Sequence, residues 1–340
     1  ASAQIVTLPS AVGSSLGGAA ASIQAPSIQA PVLTPALTLS APALSSPLQA
    51  PSAPIFSAPP AAENAFRGDV RIIRDFRSQI LGNSRSIAVY LPPGYESSNE
   101  RYPVLYVQDG QNLFDAVAEQ GRSWGLDETC ERLMRSGELP PFIIVGVYNT
   151  LNRIPEYTPV PDDEYGGGNG ELYGQFLIKE LKPYIDANLR TLPGPESTGL
   201  MGSSLGALIS LHVGLDHPDV FSRIGALSPS LWWANAELTR RLGSAPPPES
   251  RARVWVDMGT REGDHPDQRV AETLDFGRML QARGWRTGSN LSVRVIDGAG
   301  HNEGAWRARA AEVLKFLFPS RRPTGPRPAL RPRPGPGFGP

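Results

Sequence analysis

The chain has 340 residues, a net charge of −1 at pH 7, 35 glycines, 35 prolines and one cysteine. The single cysteine, Cys130, excludes an internal disulfide and a thiolate zinc site. Because no uninterrupted apolar run reaches the roughly 18 residues of a membrane span, a transmembrane protein is excluded as well. Prolines and charges are unevenly distributed along the chain, and this unevenness predicts three segments.

Residues 1–65 are predicted to form a disordered linker rich in alanine, proline and serine. Residues 1–60 contain 10 of the 35 prolines and no Asp, Glu, Lys or Arg. Such a composition does not support a packed core. Ala1-Ser2-Ala3 has the small-residue form of a signal-peptidase site. We therefore expect a secreted or periplasmic protein.

Residues 320–340 are predicted to be a basic, proline-rich tail. Residues 319–340 carry 8 prolines, 5 arginines and no acid. Setting those arginines aside leaves a charge of about −6 for residues 61–320, and this acidic body argues against a nucleic-acid-binding protein. Residues 66–319 are long enough to bury one sizeable core, so we predict a single globular domain there.

Strand-like and helix-like segments alternate along this domain. In chain order we predict strands at 86–91, 104–108 and 142–147, a helix at 172–188, a strand at 198–201, a helix at 205–217, strands at 223–227 and 253–258, a helix at 269–283, a strand at 292–296 and a helix at 306–316. Strands separated by helices need crossover connections, which produce a mainly parallel sheet covered on both faces. We therefore predict a three-layer α/β fold whose ligand site lies beyond the carboxyl ends of the strands.

The pentapeptide Gly202-Ser203-Ser204-Leu205-Gly206 matches G-x-S-x-G between a predicted strand and a predicted helix. In this context a sharp turn projects the serine hydroxyl above the sheet, and a Cβ at either glycine would collide with neighbouring backbone. The helix that follows directs partial positive charge towards an oxyanion. The pattern predicts Ser204 as the nucleophile, since Ser203 is one residue out of register.

Among the four histidines, His301 is the predicted general base. It lies in a glycine-rich loop after the last predicted strand and follows the serine in the chain, as the order serine, acid, histidine requires. His212 lies about 12 Å along the helix from Ser204, and His217 is expected to cap that helix. His265, in a loop, is the reserve candidate.

The acid of such a triad is expected just past the strand at 253–258. Glu262 is favoured because it lies in the turn that follows this strand. Asp264, close by in the same turn, and Asp257, still inside the strand, are the alternates. The role of the acid is to orient the histidine and to balance the imidazolium.

The backbone N–H groups of Gln111 and Leu205 are the expected oxyanion donors, because they follow an early strand and the nucleophile, respectively. Trp124, Trp232 and Trp233 are candidates for an aromatic acyl or sugar pocket, with core packing as the alternative. No metal site is predicted: the loop that starts at Asp109 lacks the Gly and Glu that a calcium loop needs at its sixth and twelfth positions.

Taken together, the motifs resemble the putative-esterase, or esterase D-like, family of α/β-hydrolases. This family includes feruloyl and acetyl esterases, enterochelin esterases, S-formylglutathione hydrolases and mycolyltransferases. The resemblance covers residues 68–318 and is carried by Val89–Tyr95, Tyr102–Tyr106, Asp109–Asp115, Gly202–Gly206, Leu227–Trp233 and Gly300–Glu303.

The resemblance implies an α/β-hydrolase fold and a serine esterase with Ser204, His301 and an acid at Glu262. Family members often carry a histidine where this chain has Gln108 or Asp109, so the oxyanion loop departs from the common pattern. We expect a small-molecule or glycan-linked acyl ester as substrate, with no nucleic acid and no cofactor. Acyl transfer to a sugar or lipid alcohol, or a catalytically inactive binding module, are the alternatives. The sequence carries no signal for an oligomeric state.

Overall fold

The computed structural model describes residues 66–118, 122–246 and 252–320. The predicted linker at 1–65 and all of the predicted tail except Ser320 lie outside these ranges. None of the helices within them combines the length and apolar composition needed to cross a bilayer.

An eight-stranded sheet forms the centre of the described fold. Its order is β1-β2-β4-β3-β7-β8-β9-β10, and a separate hairpin pairs β5 with β6. Strands β4, β3 and β7 to β10 run parallel to one another, whereas β2 pairs antiparallel with both β1 and β4. The strands are β1 (Asp69–Arg77), β2 (Ser84–Leu91), β3 (Val104–Gln108), β4 (Ile143–Val147), β5 (Pro161–Asp162), β6 (Gly166–Gly167), β7 (Thr198–Ser203), β8 (Arg223–Leu227), β9 (Arg253–Arg261) and β10 (Leu291–Gly300).

The helices fill the connections between strands. They are α1 (Leu126–Arg135), α2 (Arg153–Tyr157), α3 (Gly170–Phe176), α4 (Lys182–Asn188), α5 (Leu205–Asp216), α6 (Trp233–Ser244), α7 (Pro266–Ala282) and α8 (Glu303–Leu317). A π-helical turn at Leu177–Leu181 joins α3 to α4, so the single helix predicted at 172–188 is one continuous helical segment with an irregular middle.

Two hydrophobic cores lie on opposite faces of the sheet. Along β3, Val104 and Tyr106 belong to one core while Leu105 and Val107 belong to the other. Helices α3, α4, α5 and α7 cover the first face, and α1 and α8 cover the second. Alternate residues of one strand face opposite sides, so a strand that is apolar throughout must be buried on both faces. The predicted three-layer fold with a mainly parallel sheet is confirmed.

Strand β1 and helix α6 are among the elements that the sequence prediction did not include. Strand β1 reads DVRIIRDFR and lies at the sheet edge, mostly partly exposed, so it lacks the continuous apolar character of a buried strand. Near the start of helix α6, Ala234, Asn235 and Ala236 have left-handed backbone conformations, so this part of the element is not a regular α-helix.

Strands β9 and β10 extend beyond their predicted ends, and this extension brings the site together. The sequence predicted loops after Met258 and Ile296, but the strands continue to Arg261 and Gly300. After a register shift, Gly300 pairs with Arg261. The residues that follow this pair therefore lie side by side at the carboxyl edge of the sheet.

Candidate active site

Ser204 occupies a strained turn between β7 and α5. Its backbone angles are φ 56° and ψ −126°, a left-handed conformation that non-glycine residues adopt only when their surroundings enforce it. A Cβ at Gly202 would lie 2.5 Å from the carbonyl carbon of Gly206. The Ser204 N–H donates to the Leu227 carbonyl at 3.1 Å, which ties the turn to β8. The serine is thus held above the sheet by packing that only glycine permits.

A cavity of about 230 Å³ opens beside this turn. Its lining includes Ser204, Glu262, His301, Ser230, Trp232 and Arg269. The Ser204 and Ser230 hydroxyl oxygens lie 3.5 Å apart. The predicted nucleophile, base and first-choice acid therefore line one cavity.

His301 and Glu262 are adjacent because they follow the paired residues at the ends of β10 and β9. His301 Nδ1 lies 2.8 Å from Glu262 Oε2. The imidazole is 40% exposed, whereas the carboxylate is 2% exposed. The edge of the imidazole ring also packs against Trp306, with centroids 5.1 Å apart. The histidine can therefore meet a substrate while its partner stays shielded from water.

Two further hydrogen bonds hold the other oxygen of Glu262. Ser228 Oγ and the Gly259 N–H each lie 2.7 Å from Glu262 Oε1. Burial alone would raise the pKa of Glu262, but hydrogen bonds from His301, Ser228 and the Gly259 N–H outweigh it and lower the pKa below its ordinary value. Glu262 is therefore ionised at neutral pH.

The two alternate acids lie elsewhere. Asp264 is exposed. Asp257 is fully buried, with Oδ1 3.0 Å from Arg309 Nη2 and Oδ2 accepting from Trp255 Nε1 at 2.7 Å. Burial raises the pKa of Asp257, and the interactions with Arg309 and Trp255 only partly offset this effect. Asp257 thus forms a buried ion pair beneath the site, whereas Glu262 is the acid that contacts His301.

The other three histidines do not line this cavity. His212 Nδ1 lies 3.1 Å from Asp216 Oδ2 within α5. His217 ends that helix, and its N–H donates to the Val213 carbonyl. His265, the reserve candidate, is exposed at the start of α7.

The loop after β3 is held by a bidentate ion pair. Asp109 has left-handed backbone angles, φ 57° and ψ 48°. Its carboxylate accepts from Arg153 Nε and Nη2, both at 2.8 Å, and from Asn149 Nδ2 at 2.7 Å. A Cβ on the next residue, Gly110, would lie 2.4 Å from the Gly146 carbonyl carbon. Charge-assisted bonds and close backbone packing together fix the path of this loop.

The predicted oxyanion donors lie in two adjacent helical turns. Leu205 is the first residue of α5, and Gln111 is the second residue of a 3₁₀ turn. N–H groups at helix starts have no intrahelical acceptor, so both are available in principle to an oxyanion. The two turns are in contact: a Cβ at Gly206 would lie 3.1 Å from Asp109 Oδ2.

The structure separates the three candidate tryptophans. Trp232 lines the cavity, and Arg269 lies 5.2 Å above its ring. Trp233 is 3% exposed and donates through Nε1 to the Val160 carbonyl. Trp124 is 2% exposed and packs against Trp306. Trp124 and Trp233 are packed into the protein interior and do not line this cavity, which fits the core-packing alternative.

Within the described ranges, no group of three or more His, Cys, Asp or Glu side chains has an arrangement that could hold a metal ion. The ionisable groups of the site instead pair with one another and with backbone donors.

Two residues beside the acid were missed by sequence reasoning. Ser228 directly follows β8 and lines the cavity, and Arg309 lies on α8 and is 5% exposed. A signal for the arginine was present: it falls on the apolar stripe of α8, three residues after Trp306 and four before Val313. A charged residue on a buried helical stripe requires a buried partner.

Comparison with known proteins agrees with this architecture. Residues 78–317 match the family described as "Putative esterase". The uncharacterized protein YbbA of Bacillus subtilis is 30% identical over 257 residues, covering 73% of this chain and 98% of YbbA. An endo-1,4-beta-xylanase/feruloyl esterase of Xylanibacter ruminicola is 26% identical over 254 residues, which cover 72% of this chain but 30% of that protein.

A solved ferulic acid esterase has the same fold. It aligns with a TM-score of 0.57 at 22% sequence identity and covers 74% of this chain and 98% of its own. The family match spans most of the folded domain. The resemblance inferred from the motifs is thereby confirmed, and the chain belongs to the putative-esterase family of α/β-hydrolases, a family of carboxylic ester hydrolases.

Proposed function

We propose that the protein hydrolyses carboxylic esters through an acyl-enzyme formed on Ser204, with His301 as general base and Glu262 as the acid of the triad. The observation that carries this proposal is the 2.8 Å contact between His301 Nδ1 and Glu262 Oε2 in the cavity that Ser204 also lines. A nucleophile, a base and an orienting carboxylate in this relation are what acyl transfer requires.

The chemistry follows from the charge state of the acid. An ionised carboxylate only accepts hydrogen bonds, so Glu262 Oε2 selects the tautomer in which His301 Nδ1 carries the proton. His301 Nε2 then has a free lone pair to take the Ser204 proton as the oxygen attacks the ester carbonyl. The buried carboxylate stabilises the imidazolium that results.

The oxyanion of the tetrahedral intermediate is assigned to the N–H groups of Leu205 and Gln111. Both stand at helix starts, where partial positive charge favours a developing negative charge. His301 returns its proton to the alcohol that leaves, and a water molecule then repeats the sequence to release the acid. The exposed imidazole gives water access to the acyl-enzyme.

The acyl side of the cavity favours a planar, aromatic group. Trp232 forms a partly buried aromatic wall, Met258 and Pro229 add apolar surface, and Arg269 supplies one cation. Aromatic rings pack well against such a wall in offset or edge-on arrangements. The feruloyl esterase relative supports the same substrate class.

The nucleophile is tested with a fluorophosphonate probe and a panel of esters. The wild-type protein should be labelled at one residue, and Ser204→Ala should abolish both labelling and turnover. Ser203→Ala is the matched control and should still be labelled at Ser204. Labelling that persists in Ser204→Ala, or that maps to Ser203, contradicts the assignment.

The substrate class is tested by comparing methyl ferulate, p-nitrophenyl acetate, acetylated xylan and a ferric siderophore. Aromatic acyl esters should give the highest kcat/KM. Trp232→Ala should lower this preference for the aromatic acyl group by about 10-fold, and Trp232→Phe should retain most of it. An unchanged preference in Trp232→Ala would remove this tryptophan from the acyl pocket.

A further inference from the structure

Behind the proposed acid lies a buried polar cluster formed by Ser228, Arg309, Asp257 and Trp306. All four are less than 8% exposed. Trp306, Arg309 and Asp257 all hydrogen-bond to Ser228, and the Ser228 hydroxyl in turn donates to Glu262. The cluster joins the ends of β8 and β9 to α8, which follows the histidine in the chain.

The hydroxyl of Ser228 is surrounded by three partners. Trp306 Nε1 lies 3.0 Å and Arg309 Nη2 lies 2.6 Å from Ser228 Oγ, and Glu262 Oε1 lies 2.7 Å away. Indole and guanidinium nitrogens can only donate. They occupy both lone pairs of the hydroxyl oxygen, so the Ser228 proton must point at Glu262 Oε1.

Arg309 carries the charge of the cluster. Its Nη2 donates to Ser228 Oγ and lies 3.0 Å from Asp257 Oδ1 and 3.5 Å from Glu262 Oε1. The two protons on this nitrogen are directed to the nearer two acceptors, so its effect on Glu262 is transmitted mainly through Ser228 and through its charge. Asp257 balances that charge within the protein interior.

The backbone of Ser228 has a strained, left-handed conformation, and its N–H is held by Asp257. Its φ is 48°, and its N–H lies 3.0 Å from the Asp257 carbonyl and 3.2 Å from Asp257 Oδ1. Ser204 and Ser228 follow the paired strand residues Ser203 and Leu227, so the two strained serines stand side by side. Because the Ser228 proton is already committed, this second serine is unsuited to act as a nucleophile.

Resting on the proposed function, we infer that Ser228 and Arg309 are positioning residues that saturate Glu262 Oε1 and leave Oε2 as the face presented to His301. Because Trp306 and Arg309 donate to the Ser228 oxygen, the Ser228 O–H is directed to Glu262 Oε1. Asp257 balances the Arg309 cation, which would otherwise compete with His301 for the negative charge of Glu262. The groups that face Glu262 in this arrangement are His301, Ser228, the Gly259 N–H and Arg309.

The first test is a double-mutant cycle between Ser228→Ala and Glu262→Gln. A hydrogen bond to a charged group corresponds to about 10- to 100-fold in rate, so Ser228→Ala should lower kcat by that factor with KM changed less than about 2-fold. In the Glu262→Gln background the same change should lower kcat less than about 3-fold, because residues that act through one another are not additive.

A matched control separates positioning from stability. Ser78 is a buried serine whose hydroxyl donates to Glu180 Oε2 at 2.5 Å, outside the active site. Ser78→Ala should lower the melting temperature but leave kcat within about 2-fold of wild type. If Ser228→Ala does not fold, Ser228→Gly removes the same hydroxyl at a φ that glycine adopts without strain.

The second test uses the pH profile of kcat/KM. Asp257→Asn leaves the Arg309 cation without its buried counter-charge beside Glu262 and His301, so the acid limb of the profile should move to lower pH. Arg309→Lys should retain more activity than Arg309→Gln, because it keeps the cation. A merely structural role would lower kcat in these variants without moving the acid limb.

The outcomes separate this inference from the proposed triad. If Glu262→Gln loses activity but Ser228→Ala keeps near-normal kcat, or if its loss adds in full to that of Glu262→Gln, the positioning role is refuted and the triad stands. An unmoved acid limb in Asp257→Asn also refutes the electrostatic balance. If Glu262→Gln itself keeps near-normal kcat, it is the choice of acid in the proposed function that fails.

Discussion

Replacing Glu262 with Gln should force the wrong tautomer on His301. The Oε1 position receives the Gly259 N–H and the Ser228 O–H, both at 2.7 Å. A glutamine NH₂ placed there would face two donors, so the amide must put its carbonyl oxygen at Oε1 and its NH₂ at Oε2. That NH₂ donates to His301 Nδ1, which moves the imidazole proton to Nε2 and prevents it from accepting the Ser204 proton.

The size of the loss in kcat follows from the free energy needed to turn the introduced amide over. Turning the amide over leaves two buried donors facing an NH₂, and each unsatisfied donor costs about 1–3 kcal/mol. The total of roughly 2–6 kcal/mol corresponds to a loss in kcat of about 30-fold to 2 × 10⁴-fold. The equivalent Asp→Asn change in a serine protease costs about 10⁴.

Steady-state kinetics on a soluble aryl ester, with circular dichroism to verify folding, measures this effect. Asp264→Asn is the control, because its exposed carboxylate lies in the same turn, and it should stay within about 2-fold of wild type. Asp257→Asn should cost less than about 10-fold near neutral pH. Near-normal turnover in Glu262→Gln, together with collapse in either Asp variant, would refute the reasoning and assign the role to that aspartate.

Three other predictions concern the acid, the oxyanion loop and the chain ends. The pKa of Glu262 is lowered in the folded state, so its contribution to stability is present above its ordinary pKa and is lost as pH falls through the lowered value. The difference in unfolding free energy between wild type and Glu262→Gln should therefore shrink from about pH 5 to pH 3 in urea titrations, and a constant difference would contradict this. Arg153→Gln should lower kcat by about 10- to 100-fold with little change in KM, because Asp109 loses its bidentate partner; a KM effect alone would argue against a role in oxyanion stabilisation. A protein spanning residues 66–319 should fold and keep most of its turnover on a small soluble ester, and loss of the cooperative unfolding transition would show that an end segment belongs to the core.

The sequence by itself determined the features that depend on neighbours along the chain. The apolar runs and amphipathic segments predicted the parallel sheet and its layers. Ser204 could be proposed as the nucleophile because the strand, the turn glycines and the helix that project it all lie within a dozen residues of it. His301 followed from its position after the last strand. These are consequences of local geometry, and local geometry can be read from local sequence.

Only the tertiary structure decided which of Glu262, Asp264 and Asp257 lies beside His301, because the three acids lie within eight residues of one another. The decision depends on the register that pairs Gly300 with Arg261 and so sets Glu262 beside His301. It depends also on Arg309, contributed by a helix that follows the histidine, which takes Asp257 as its buried partner. Neither the register shift nor the docking of α8 has a signal near the acids in the chain.

The same limit applies to the tryptophans and to Ser228. Trp232 and Trp233 are consecutive, yet one lines the cavity and the other is buried with its Nε1 bonded to Val160. Which ring of such a pair lines the cavity depends on the left-handed residues that follow and on the packing of distant elements. The direction of the Ser228 hydroxyl proton is set by two donors on α8, about 80 residues later in the chain. Local sequence specifies which side chains lie at the edge of the sheet. Their hydrogen-bond partners come from elements far apart in the chain, so long-range packing sets them.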